Sequence, residues 1–328
     1  MPAGPPARAA SASARPAPRP CGGISSGRLP VAECRAGFDL QTTGESGRTH
    51  LWDRPDDAMF ADGPAWGGDA WYHTVLPATE TATNEPEVLR CRLDGDALAW
   101  EASTPRAPDH LTRLLRLDDD LDAIVGSTPD LPLLERAYDR YGGMRLVRDP
   151  LFASLISFIC SAQMRVERIH AMQGRLAREY GDDVTFDGDT YYAFPTPEQL
   201  AAATEADLRD CSLGYRAPYV QRTAEMVAEG VAHPDAAHDM PYEDAREHLE
   251  QFVGVGEKVA DCVLLFALDF LEAVPLDTWI RTAIEEYYPD CDRGNYTDTS
   301  RAIRERFGGD YAGYAQTYVF FYLRTGGE

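Results

Sequence analysis

The chain has 328 residues, enough for two ordinary domains with a sizeable core. Its formal net charge of −23, from 54 acidic against 31 basic residues, speaks of solubility and argues against a broad basic face for nucleic acid. Seven scattered cysteines without Cys-x-x-Cys spacing give no zinc or redox signature, and no apolar run of about 18 residues exists to span a membrane.

The chain opens on MPAGPPARAASASARPAPRP, rich in Pro, Ala and Ser and without the apolar core of a signal peptide. Residues 1–33 read as a disordered tail; the sharper alternative is a basic arm that touches DNA. The expected location is the cytoplasm, at the nucleoid when on DNA. Lysine depletion beside excess carboxylate suggests a halophile cytosol, since Lys258 is the only lysine in the chain.

From 34 to 104, short alternating runs (FDLQTT, RTHLWD, AWYHTVL, EVLRCRL, ALAWEA) predict a small domain of antiparallel strands. From 105 to 328 the spacing turns helical, from HLTRLLRL through LFASLISFICSAQMRVERIHAMQGRLAREYG to YAGYAQTYVFFYLR. The fold class expected is α+β: a β-rich N-terminal domain, then an all-α domain of two lobes.

The most informative stretch is REHLEQF-VGVG-EKVADCVLLFAL, a helix, a tight turn and a second helix. Gly254 and Gly256 let the backbone turn and approach a partner closely. The free amides opening the second helix suit a DNA phosphate. A dinucleotide fingerprint is rejected, because a helix and not a strand precedes the glycines. Lys258 lies in the first turn of that helix, where the positive end of the dipole disfavours an ammonium and favours a nucleophilic amine. The competing reading is an ordinary ion pair with Asp261. Nineteen residues after Lys258, Asp277 follows a Pro-containing loop, as an N-cap or as a catalytic carboxylate.

The stretch GVGEKVADCVLLFALDFLEAVPLD resembles the 8-oxoguanine branch of the helix-hairpin-helix base-excision DNA glycosylases. RDPLFASLISFICSAQ, LGYRAPYV, YAGYAQTYVFF and FDLQTTGESGRTHLW resemble further segments of that branch in the same order, so the likeness spans about 34–325. It implies a two-domain glycosylase with AP-lyase activity, acting as a monomer on double-stranded DNA that carries a damaged base. No cofactor is expected, save a structural monovalent cation at the hairpin.

By this resemblance Lys258 is the nucleophile and Asp277 stabilises the charge that develops on the sugar. Gly47 accepts from the N7–H of the oxidised purine through its carbonyl. Gln316 reads the Watson–Crick edge, Phe320 stacks on the base, and Cys262 lies against its other face. Phe320 and Cys262 read equally as ordinary core residues. Tyr215 is implied as the wedge and Arg216 as the reader of the orphaned cytosine. Gln163, where the family has asparagine, can still bond an orphaned base; Met164 and Arg165 also replace asparagines, and Trp279 stands where the family often has His. Arg168 joins Arg145, Arg148, Arg165, Arg216 and Arg281 as a local basic face on DNA. The alternatives are an alkylated-purine (3-methyladenine-type) glycosylase of the same fold, which has no catalytic lysine, and a non-catalytic DNA-binding hairpin module.

Overall fold

The computed structural model describes residues 19–20, 23–31, 37–60 and 68–327. Strands Ser25–Pro30, Ala97–Ala102, Glu87–Asp94 and Tyr72–Leu76 form one antiparallel sheet in that order. Tight registration runs through Gly27 opposite Trp100, where a Cβ on Gly27 would sit 2.8 Å from the indole. The sheet buries Tyr72, Leu89, Cys91 and Leu98 against helix Ala107–Leu114, which contributes Leu111 and Leu114.

Two expectations are corrected here. The boundary at residue 33 falls too late, because Ser25–Pro30 pairs along its whole length with Ala97–Ala102 and belongs to the β-domain. Residues 1–18 lie outside the described residues. FDLQTT is no strand: Leu40–Glu45 is a helix, capped by the Asp39 carboxylate on the Thr42 amide at 2.8 Å. RTHLWD makes only an isolated bridge, Asp53 to His73.

A second, three-stranded sheet was not foreseen. Asp183–Phe186 and Asp189–Tyr192 form a hairpin across Asp187 and Gly188, both at positive φ, and Arg19–Pro20 pairs parallel to its first strand.

The helical domain holds the larger core, from Leu121 to Leu323. The helix Leu151–Ser161 buries every residue from Ala153 to Cys160, and Ala312–Arg324 buries all but its last residue. The long apolar run that begins at Leu151 breaks after Ser161, because Gln163 adopts φ 55°; a new helix, Val166–Tyr180, follows. Hydrogen bonds stitch the two domains together: the Arg145 amide donates to Thr43 Oγ1 at 3.0 Å, and Thr49 Oγ1 donates to Asp149 Oδ1 at 3.1 Å.

Candidate active site

The hairpin forms as its sequence suggests. Tyr242–Glu250 and Glu257–Ala267 are helices, with Gly256 as the extended N-cap of the second. Gly254 has φ +87°, and a Cβ there would sit 2.9 Å from Tyr219 Cβ, so only glycine fits without strain. A Cβ on Gly256 would meet nothing within 4 Å; this is the open side, where the first-turn amides are free to meet a phosphate.

Lys258 leaves the hairpin towards a cleft of about 940 Å³ lined by Gly47, Arg48, Phe158, Ser161, Lys258, Asp277, Trp279 and Phe320, among others. Its ammonium donates to Ser161 Oγ at 3.0 Å and lies 5.9 Å from the centre of the Phe158 ring. The ion pair with Asp261 does not form. Asp261 points into the core, fully buried, and accepts from the Tyr242 and Tyr296 hydroxyls at 2.7 Å each. Burial pushes its carboxyl up to about 7, against the pull of Arg246 and the two hydroxyls. The helix thus presents its lysine to the cleft and keeps its aspartate out of reach.

Asp277 is both cap and cleft residue. Oδ1 accepts from the Ile280 amide at 2.9 Å, fixing the start of helix Thr278–Tyr287. Oδ2 faces the Arg48 guanidinium at 3.0 Å, in a charge contact rather than an aligned hydrogen bond. One oxygen therefore holds the carboxylate in place while the other remains turned to the cleft.

Gly47 follows the Leu40–Glu45 helix with φ +82°; a Cβ there would run into the Arg324 guanidinium and sit 2.9 Å from Val166 Cγ2. Phe320 lines the cleft from the C-terminal helix. Gln316 and Cys262 sit deeper, both fully buried and outside the cleft lining. Gln316 Oε1 accepts from Arg48 at 3.2 Å, and its amide donates to Thr317 Oγ1 at 2.7 Å. Burial pushes the Cys262 thiol up, with Lys258 and Arg48 pulling the other way.

Outside the cleft lining, Tyr215 is 53% exposed, with the Arg216 guanidinium carbon 4.3 Å from its ring centre. Arg216 is buried and donates to the Ala162 carbonyl, beside the exposed, left-handed Gln163. Tyr215 packs edge-on against Tyr219, the residue that fills the space over Gly254. Tyr215 and the hairpin glycine are thus linked through one tyrosine.

The basic face is smaller than expected. Arg145 is buried and donates to the carbonyls of Arg116 and Asp119, and Arg148 pairs with Asp269 at 2.7 Å. Arg145 is thereby withdrawn from the surface, and Arg148, 20% exposed, is already paired. Arg165 and Arg281 line the cleft; Arg168 is exposed but does not line it.

The sequence reading missed four residues that shape the site: Arg48, Ser161, Tyr219 and Arg324. Arg324 donates to the Glu45 carbonyl at 2.9 Å, and burial followed by Arg48's charge brings its guanidinium down to about 10. His50, a buried residue of the cleft lining, is held down to about 3 by burial and by the groups around it, His170, Lys258, Arg324 and Arg48. Among the described residues no cluster of His, Cys, Asp and Glu can hold a metal ion, and no helix is long and apolar enough to cross a membrane.

A hairpin with open first-turn amides thus stands beside a cleft that holds Lys258 and the capped carboxylate of Asp277. Residues 156–308 match the family described as HhH-GPD superfamily base excision DNA repair protein. A protein named probable N-glycosylase/DNA lyase from Methanothermobacter thermautotrophicus is 32% identical over 92% of this chain and 96% of its own. The N-glycosylase/DNA lyase of Saccharomyces cerevisiae is 32% identical over 64% of this chain and 65% of its own. The Clostridium acetobutylicum 8-oxoguanine glycosylase/lyase, solved with double-stranded DNA carrying cytosine opposite the lesion, superposes with a TM-score of 0.75. It is 25% identical, over 93% of this chain and 98% of that one. The chain belongs to the HhH-GPD superfamily of base-excision repair proteins, on its N-glycosylase/DNA lyase side.

Proposed function

We propose that the protein excises 8-oxoguanine from double-stranded DNA and then cleaves the strand at the resulting site. The observation that carries this reading is the pairing of Lys258 with Asp277 in one cleft, with Lys258 held by Ser161 and free of Asp261. The activities named for the relatives support it.

The damaged nucleotide leaves the stack, because its sugar carbon is shielded within the duplex. The Lys258 amine attacks C1′; the C1′–N9 bond breaks and the base departs with its electron pair and takes up a proton. Positive charge develops on the sugar as the bond breaks, and the Asp277 Oδ2 carboxylate lowers its energy. The lysine–sugar adduct opens to an imine. Loss of a C2′ proton then expels the 3′ phosphate oxygen, and water releases the lysine. Arginine could not serve in place of lysine, since it stays protonated.

Gly47 accepts the N7–H that only the oxidised purine carries, Gln316 reads the opposite edge, Phe320 stacks, and Cys262 backs the other face. Tyr215 fills the gap left in the duplex, with Arg216 and Gln163 beside the orphaned base. The hairpin's carbonyls keep a lone pair each for a monovalent cation; those of Phe252 and Val253 already accept one hydrogen bond apiece. We place the enzyme in the cytoplasm, at the nucleoid, acting as a monomer.

Borohydride trapping on duplexes with 8-oxoguanine, 3-methyladenine or uracil tests this. A covalent adduct with the 8-oxoguanine duplex, lost in Lys258→Gln, is expected. Excision of the alkylated base without trapping would overturn the reading in favour of the alkylation branch. Binding without any excision would leave a DNA-binding module.

A further inference from the structure

Arg48 stands where a flipped base must go. Its guanidinium carbon lies 3.3 Å from the centre of the Phe320 ring, which is stacking distance and leaves no room for a base on that face. The same guanidinium bonds Gln316 at 3.2 Å and faces Asp277 Oδ2 at 3.0 Å. The stacking surface, the edge reader and the catalytic carboxylate are thus all occupied at once by one side chain, itself 5% exposed. The seat is imperfect. Arg48 Nε is buried without a partner, and a second guanidinium, Arg324, lies 5.6 Å from the same ring. Contacts that a base can take over hold Arg48 in; an orphaned donor and a like charge favour its leaving.

We propose that Arg48 is a specificity-determining residue: its guanidinium fills the base slot and covers Asp277 in the free enzyme, and a base is attacked only if it displaces Arg48. The proposal rests on the glycosylase reading and not on the identity of the lesion. A competitor of this kind weakens every base by the same factor. Discrimination arises because occupancy saturates. A base that binds the slot strongly fills it even against Arg48, so its excision rate hardly changes. A weak one, such as undamaged guanine without an N7–H for Gly47, loses occupancy in proportion. While Arg48 stays seated, a partly inserted base also finds Asp277 already neutralised.

The test compares wild type with Arg48→Ala and Arg48→Met, the second filling space without charge, after thermal unfolding has shown which variants fold. Titration with free 8-oxoguanine, guanine and adenine bases reads the slot without DNA. Single-turnover excision at 8-oxoguanine and at undamaged guanine, each opposite cytosine, reads discrimination. We expect free bases to bind about tenfold tighter to the variants. Guanine excision should rise by a larger factor than 8-oxoguanine excision. Unchanged or weaker base binding in a folded variant overturns the proposal, because Arg48 would then be part of the base's own binding set. If wild type excises no 8-oxoguanine, the substrate reading falls, and the free-base titrations still decide the role of Arg48.

Discussion

The Lys258 ammonium donates to the Ser161 hydroxyl at 3.0 Å, and that hydroxyl donates its own hydrogen to the Phe158 carbonyl at 2.7 Å. Ser161 therefore has only lone pairs to offer the lysine. It acts as a fixed acceptor at the end of the Leu151–Ser161 helix and aims the nucleophile across the cleft. Ser161→Ala should keep the fold and DNA binding, since a surface-side hydroxyl to the i−3 carbonyl contributes little. Single-turnover excision should fall by about tenfold, as expected when a reacting group loses its positioning partner. The yield of trapped adduct at long times should be unchanged. A normal rate in Ser161→Ala would mean that the lysine finds its own place.

Asp277 separates structure from chemistry atom by atom, because Oδ1 caps a helix and Oδ2 faces the cleft. Asn caps about as well as Asp, so Asp277→Asn keeps the cap; its thermal midpoint should fall only through the charge that buried Arg48 loses as a partner. It lacks the charge that the sugar needs, and excision should drop about 10²–10³-fold. Asp277→Ala loses the cap as well and should also be less stable by about 1 kcal/mol. Equal stability of the two variants would show that the cap is idle; equal activity of Asp277→Asn and wild type would remove the carboxylate from the mechanism.

The two hairpin glycines serve different ends. Gly254 is pinned by φ +87° and by Tyr219 at 2.9 Å, whereas Gly256 is extended and open. Gly254→Ala should cost about 1–2 kcal/mol of stability and disturb Tyr215 through Tyr219. Gly256→Ala should melt near wild type yet bind duplex DNA several-fold more weakly, since its methyl would stand where a phosphate approaches the amides. Chemical denaturation beside a DNA titration for both variants checks this. Loss of affinity without loss of stability in Gly254→Ala would reverse the assignment.

How far the sequence carried the reading depends on how local each signal was. The hairpin, Lys258 and the Asp277 cap lie within one short stretch, where turn and capping chemistry act over a few residues. Leu40–Glu45 misled because six residues with two threonines show no helical period; the Asp39 cap was the available sign. The Asp-Gly pair between VTF and TYY was a clear hairpin signal that went unread. Arg145 and Arg148 show that charge in a sequence has no direction: one is buried on carbonyls and the other is paired with Asp269. Arg48 was out of reach, since its bond to Gln316 spans 268 positions and only the folded chain brings them together.

Stability should fall with rising pH across the weakly acidic range. Asp261 and Asp149 are both buried, and burial pushes each carboxyl up to about 7. Both folded-state values lie above the unfolded value of about 3.9, so between these limits the native state holds more protons than the unfolded chain. The contribution from these groups is present at low pH and is lost as pH rises from about 4 to about 7, on the order of 1 kcal/mol or more per group. Self-repulsion of a chain with net charge −23 has the same sign, so wild type alone cannot separate the two effects. Asp261→Asn can. It keeps an acceptor for Tyr242 and removes one titration, and its urea midpoint should decline less between pH 5 and pH 8 than that of wild type. An equal decline in both would show that Asp261 does not titrate in this range and that charge repulsion alone sets the slope.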